Sequence, residues 1–497
     1  MEEFVFICMG GRYTKFGTKG RGTPSALSDE EFNSIIPTVL AYNPEENRFL
    51  IGKEAVQYRS IDPANTIWNL PALLYPPLAD EFVQRASESA AFKIEVDEDR
   101  ECSVCFDDNW YSVKEIVRYY IVELKHTIEK SLNKAFEKAV FTVPHGATVN
   151  HRKALVEAAE NAGFTTVRLI TEPMAAVVGS EYPHTDDEVL CNVYLGFSTA
   201  GVSVVEKEDG VYEQIAIFGE VQPGLWKGDL EIARILADSL QGNPNVRFTE
   251  GSPNFDRLWA AAADLRESAA SETGIQVSVE NIDLVNGDKS RAKFSLTFEQ
   301  ISEVYDELFE WIADSAVELK STVKSAKLLV YTEEYIPFEK LTSKAEQTFS
   351  LPVEVVSEYE HKSVVMGASV LSGILEGGVP DLIILDTSFY NLGIAAGGND
   401  FMPIIKSLTG FPVTRTETFT TSEDNQTEVS FTVYEGLEED ITKNTYIGSY
   451  TLTDIPPKAA GEAQIEITFT LDANGVLKIS GKETQSGIQL NTTENLE

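Results

Sequence analysis

Basic residues are scarce in this chain: 40 Lys and Arg stand against 79 Asp and Glu, a net charge of −39 at pH 7. No long basic run interrupts that excess. Direct wrapping of nucleic acid is therefore excluded, because phosphate binding needs clustered Lys and Arg. Any association with an RNA-rich machine needs a basic partner as the bridge. Cysteine is scarce too. Four in 497 residues (Cys8, Cys102, Cys105, Cys191) point to a reducing compartment and a cytoplasmic protein. Cys102 and Cys105 make a lone CxxC with no second pair or spaced histidines, which argues against zinc and for an ordinary strand. No apolar run reaches the length of a membrane span. The acidic start, Met1-Glu2-Glu3-Phe4, lacks the charged-then-apolar pattern of a signal peptide.

What is present suffices for a large core, with 43% hydrophobic and 10% aromatic residues, and the length predicts more than one domain. Phe4 to Met9 reads as a buried strand closed by Gly10-Gly11, a turn that can present backbone N–H groups to a phosphate. From Phe4 to Ser28 there is no acidic residue, while Arg12, Lys15, Lys19 and Arg21 form a basic island suited to an anion. Ser34 to Tyr42 and Phe49 to Gly52 read as further strands. Ser112 with Glu115 is a capping-box signature, followed by apolar residues at helical spacing from Val113 to Leu132. Strand Val140 to Pro144, helix Asn150 to Ala162 stopped by Gly163, and strand Thr166 to Ile170 make a parallel crossover. Near Cys191 to Val205 the opening hairpin recurs, which suggests a duplicated lobe with a cleft between copies. Thr297 caps a later helix with Ile301, Val304, Leu308, Ile312 and Ala316 inward, and Ala326 to Tyr331 reads as a strand.

After about residue 380 the pattern changes to short strands and turns. At the junction, Leu382-Ile383-Ile384-Leu385 lies between Asp381 and Asp386. Such a run is too apolar for a free linker, so it docks on one domain, the other, or a partner strand.

These pieces resemble the 70-kilodalton heat-shock chaperone family over nearly the whole chain. Val143-Pro144, Ala162-Gly163-Phe164, Arg168-Leu169-Ile170, Glu172-Pro173 and Gly367-Ala368 match its first part. Asp381 to Asp386 resembles its interdomain linker. Leu392-Gly393-Ile394, Phe419-Thr420-Thr421, Glu423-Asp424-Asn425-Gln426, Val433-Tyr434-Glu435-Gly436 and Asp472-Ala473-Asn474-Gly475 resemble its substrate domain. The resemblance implies an α/β, actin-like ATPase domain of duplicated ribonuclease-H-like lobes over 1–378 and an interdomain linker over 379–386. An all-β sandwich over 387–490 and a polar tail over 491–497, with no helical lid, complete it. Ile394, Gly397, Phe419, Ser422, Val429 and Phe431 match the peptide pocket, although the same six fit an ordinary sandwich interior.

The departures cluster at the nucleotide site. Cys8 stands where the family has an aspartate, and Gly11 and Arg12 replace the threonines that follow. Pro71 takes the place of the catalytic lysine. Tyr194, Phe197, Ser198 and Gly201 replace an aspartate, two glycines and a second aspartate. Tyr331-Thr332-Glu333 replaces Gly-Gly-Ser, and the adenine clasp reads Arg266, Glu267 and Ala270. Glu172 and Thr199 remain as relics. Phosphoryl transfer needs metal-holding and water-positioning groups, so the expectation is that the chain is not an enzyme. ATP would be held without hydrolysis, by Gly10, Gly11, Arg12, Gly196, Arg266 and Gly367, with no metal site. The full pattern resembles the atypical subunit of the ribosome-associated J-domain complex. It implies a non-hydrolysing co-chaperone paired with a J-domain protein, reaching the ribosome and nascent or unfolded peptide through that partner. A passive peptide-binding holdase and a weak, rewired ATPase are the alternatives.

Overall fold

The computed structural model describes residues 3–18, 35–74, 76–97, 101–180, 185, 188–240, 244–269, 275–322, 327–332, 334–336, 353–354, 363–377, 382–396 and 399–495. Lys19, Arg21, Ala270, Glu333, Gly378 to Asp381 and Gly397, singled out above, lie outside them. The chain divides into two compact units. The first takes residues 1–145 and 157–384; the second takes 146–156 and 385–497.

Two sheets organise the first unit. One runs Thr166–Thr171, Lys138–Val143, Phe4–Met9, Tyr13–Thr18, Ile35–Pro37. The other runs Val353–Glu354, Lys327–Thr332, Glu188–Leu195, Thr199–Glu208, Val211–Pro223, Ile383–Leu385. Each contains the same device. Phe4–Met9 pairs antiparallel with Tyr13–Thr18 and parallel with Lys138–Val143. Glu188–Leu195 pairs antiparallel with Thr199–Glu208 and parallel with Lys327–Thr332. This repetition is the actin-like duplication, and it sets one hairpin turn from each lobe beside the cleft. Strands buried on both faces read as continuous apolar runs, which is why Phe4 to Met9 is buried at every position. Helices Glu172–Gly179 and Ser363–Leu375 cross closely. A Cβ on Gly367 would lie 2.0 Å from the Ala175 carbonyl oxygen, so only glycine permits the approach.

The second unit is an antiparallel sandwich. Its strands follow the order Asp400–Ile405, Asn391–Ala396, Val429–Gly436, Thr445–Thr453, Gln489–Asn495, Leu477–Glu483, Gln464–Leu471, Val413–Thr420. Ile465, Ile467, Phe469 and Leu471 alternate inward along one strand and form its core with Leu392, Val433 and Leu452.

Three expectations change here. The segment read as a polar tail over 491–497 belongs largely to strand Gln489–Asn495, whose polar residues pair backbone to backbone with Thr445–Thr453. The helix capped by Thr297 breaks after Glu303 and restarts at Asp306, so Tyr305 and Phe309 are buried instead of Val304 and Leu308, while Ile301 and Ile312 are buried as the spacing predicts. The boundary between units falls at Ile384/Leu385, inside the apolar run, and residues 146–156 group with the sandwich. Among the described residues, no helix is long and apolar enough to cross a membrane.

Candidate functional site

The cleft of the first unit is floored by the two hairpin turns. Their amides are used locally: Gly10 N–H donates to Tyr13 O at 3.1 Å, and Gly196 N–H donates to Thr199 O at 2.9 Å. A third segment, between strand Thr66–Trp68 and helix Leu70–Leu74, reaches the second turn through Asn69. Ser198 Oγ donates to Asn69 Oδ1 at 2.6 Å. A Cβ on Gly11 would meet Asn69 Oδ1 at 2.3 Å, Ser198 Oγ at 2.4 Å and Phe197 Cδ1 at 2.7 Å. Phe197 and Trp68 are buried beside them, with ring centroids 6.4 Å apart.

Arg12 leaves the first hairpin and reaches the second lobe. Its guanidinium pairs with Asp264 at 2.6 Å, Glu267 at 2.8 Å and Glu334 at 3.1 Å. Glu334 is shared with Arg266, which it meets at 2.5 Å. Arg266 is fully buried and also grips both carboxylate oxygens of Asp229, at 2.7 and 3.1 Å. Tyr305 hydroxyl donates to Asp229 Oδ1 at 3.3 Å. Burial alone would raise the Glu334 carboxyl, but Arg266 and Arg12 hold it well below the usual carboxylate range. Burial, then the Asp229 carboxylate, push the Tyr305 hydroxyl well above its usual range. Arg12 and Arg266, read from the sequence as candidates for phosphate and adenine, are thus brought together as members of one ionic cluster. Asp229, Tyr305, Glu334 and Asn69 were missed. Their partners come from separate segments, and no local spacing signals them.

The remaining sequence candidates are dispersed. Gly367 serves the helix crossing described above. Glu172 opens a buried helix, and Thr199 is buried with its hydroxyl unpartnered. Cys8 and Tyr194 belong to the core between the sheets. Pro71 is buried in the short helix Leu70–Leu74. Gly201 faces His145, whose Cδ2 lies 2.1 Å from where a Cβ would stand, so an imidazole fills the space of the missing side chain. Burial pushes His145 down to about 4, and it is neutral at physiological pH.

The fit to a nucleoside triphosphate follows from these contacts. Trp68 Nε1, Asn69 Nδ2 and Thr199 Oγ1 are buried without partners, as donors facing an absent acceptor would be. The space between the hairpins is nevertheless filled by Phe197, Asn69 and Ser198. In this arrangement the residues do not fit the nucleotide, and no step through it is derived. Among the described residues, no group of three His, Cys, Asp or Glu is placed to hold a metal ion.

In the second unit, Ile394 is buried and Phe419, Val429 and Phe431 are half-buried, all packed on the sandwich core. Phe431 stacks on Tyr450 with centroids 5.9 Å apart. Ser422 lies in an exposed turn, its amide donating to Gln426 Oε1 at 2.9 Å. The apolar run enters the first unit's second sheet as an edge strand. Ile383 N–H donates to Gly210 O at 3.0 Å, and Leu382 and Ile384 pack on the first unit's core. Ile383 itself is 51% exposed. Of the docking sites the sequence leaves open, the chain's own sheet supplies the edge.

The sequence matches the family described as Hsp70 protein over residues 5–496. Chaperone protein DnaK of Carsonella ruddii (strain PV) is 27% identical over 508 residues, covering 98% of this chain and 82% of that protein. These matches overturn the expectation that the chain is not an enzyme. That expectation rested on residue-by-residue replacement at single positions, whereas the match to the Hsp70 family and to the chaperone protein DnaK runs through the whole of the first unit. Replacement is a weak guide where one segment fills space vacated by another, as His145 does at Gly201. With the match unbroken from residue 5 to residue 496, through both units, the chain belongs to the Hsp70 family.

Proposed function

We propose that the chain is a chaperone for unfolded or nascent polypeptide, working with a J-domain protein that carries it to the ribosome. Residues 387–490 take the substrate. The carrying observation is the row Phe419, Val429 and Phe431, apolar side chains left half-buried beside the buried Ile394. Half-buried apolar groups at a strand edge suit an extended apolar segment, with main-chain hydrogen bonds giving affinity and side-chain pockets giving specificity. The net charge of −39 supports a basic partner as the ribosomal bridge, because so large a negative excess repels the phosphates of RNA.

The test is binding of a fluorescent, extended apolar peptide followed by anisotropy. Val429→Phe should fill the site and weaken binding at least tenfold while the protein stays folded. A folded variant that binds the peptide unchanged would remove the reading. Recovery of a J-domain protein and ribosomes with the chain from cells tests the partner.

A further inference from the structure

We propose that an apolar slot in the first unit binds a small, neutral aromatic carbonyl compound, a ligand class unrelated to nucleotides. The slot has a volume of about 330 Å³. Val39, Val56 and Trp68 line it from the first lobe, and Trp259, Ala261 and Val279 line it from the second. Small-molecule sites span roughly 300–1,000 Å³ and are mostly apolar, with a few placed polar groups that fix the ligand's orientation. The slot lies at the lower end of that range, which suits a compact molecule of one or two rings.

The lining sets the ligand's charge. Among the described residues, six charged side chains reach the slot, and each already has an opposite charge. Arg12 pairs with Asp264 at 2.6 Å, Arg59 with Asp256 at 2.8 Å, and Arg257 with Asp283 at 2.7 Å. Glu280 pairs with Arg291 at 2.8 Å, and Asp229 with Arg266 at 2.7 Å. An ionised ligand would compete with these pairs, and breaking a buried one is costly, so phosphates and carboxylates are disfavoured. Two donors set the ligand's polar group. Trp68 and Trp259 are 4% and 2% exposed, and the Nε1 of each is buried without an acceptor. A buried indole N–H normally finds a partner, and a carbonyl oxygen supplies one without a charge. The two indoles cross edge to face with centroids 4.6 Å apart, the kind of surface on which a further aromatic ring packs.

The experiment is a fluorine NMR titration of para-fluoroacetophenone with the full chain, set beside para-fluorobenzoate as its charged counterpart. The ketone should bind saturably and at least tenfold more tightly than the acid. Ala260, half-buried on the lining, is replaced by Ala260→Phe to put a ring in the slot, which should weaken the ketone at least tenfold while circular dichroism is unchanged. Trp68→Phe and Trp259→Phe each keep a ring and remove one orphaned donor, and at least one of them should weaken the ketone threefold or more. Four results overturn the proposal: no saturable binding of the ketone, an acid that binds as tightly, a folded Ala260→Phe protein that binds the ketone unchanged, or no loss in either Phe variant. Should Ala260→Phe not fold, Val56→Phe replaces it at a lining position that is 43% exposed, with the same expectation and the same refutation. Peptide binding is a separate readout at the sandwich, so failure of the slot leaves the chaperone reading standing.

Discussion

Asp229 is the anchor of the cleft's buried charge, and replacing it gives the sharpest stability prediction. Arg266 has no exposed surface and three protein acceptors: Asp229 at 2.7 and 3.1 Å, Glu334 at 2.5 Å and the Tyr335 carbonyl at 2.8 Å. Asp229→Leu removes the bidentate partner and leaves the guanidinium in a site closed to water. Breaking one side of a buried ion pair costs about 3–5 kcal/mol, and the Tyr305 hydroxyl loses its acceptor as well. Replacing both members with apolar residues of similar volume is far milder, often neutral. Asp229→Leu with Arg266→Met should therefore recover at least half of the loss, although Glu334 then keeps only Arg12. The assay is urea unfolding followed by tryptophan fluorescence. Trp68, Trp110, Trp226, Trp259 and Trp311 all lie in the first unit, so the signal reports that unit alone. A single-variant cost below about 1 kcal/mol would refute the argument, since it is less than the ordinary penalty of losing hydrogen bonds to a charged group in a buried site. A double variant no better than the single would refute it too.

The architecture was largely legible because its helices and strands carry their own signals. Ser112 caps as its sequence context indicates, accepting from Glu115 N at 3.2 Å, and Val113, Ile116, Val117, Tyr120, Ile121, Leu124 and Ile128 are buried at helical spacing. The duplicated hairpins were legible as apolar runs closed by small residues. Legibility failed where the deciding contact is long-range. In the Thr297 helix, the restart at Asp306 shifts the buried face, and the aromatic bulk of Tyr305 and Phe309 overrides the aliphatic spacing. At the cleft, the partners of Arg12 lie more than 250 residues away, so an arginine that invites an anion in sequence is answered by the chain's own carboxylates. The run Leu382 to Leu385 announced a strand. Which edge receives it depends on the unpaired side of Val211–Pro223, which no local pattern records.

Two further predictions follow from these placements. Ile384→Asp should release the edge strand from the first unit and expose it to limited proteolysis, because burying such a side chain contributes about 1.5–3 kcal/mol, whereas the half-exposed Ile383→Asp should leave cleavage unchanged; equal sensitivity in both would mean that the register is wrong. The last concerns Glu435, which is buried in the second unit and accepts from Val149 N–H at 3.1 Å. Burial pushes its carboxyl up to about 8, against the pull of that amide and of Arg152. A carboxyl raised on folding takes up a proton that the unfolded chain releases near pH 4.3. Its contribution is therefore complete below about pH 4.3 and is lost as pH rises to about 8. Within that window the unit should lose at most about 1.4 kcal/mol per pH unit. Urea unfolding monitored by methyl NMR of Ile455, Ile465 and Ile467 would read the slope, and Glu435→Gln should flatten it. A wild-type stability that is level from pH 5 to 8 would mean that Arg152 and the Val149 amide outweigh burial and that Glu435 is ionised in the folded protein.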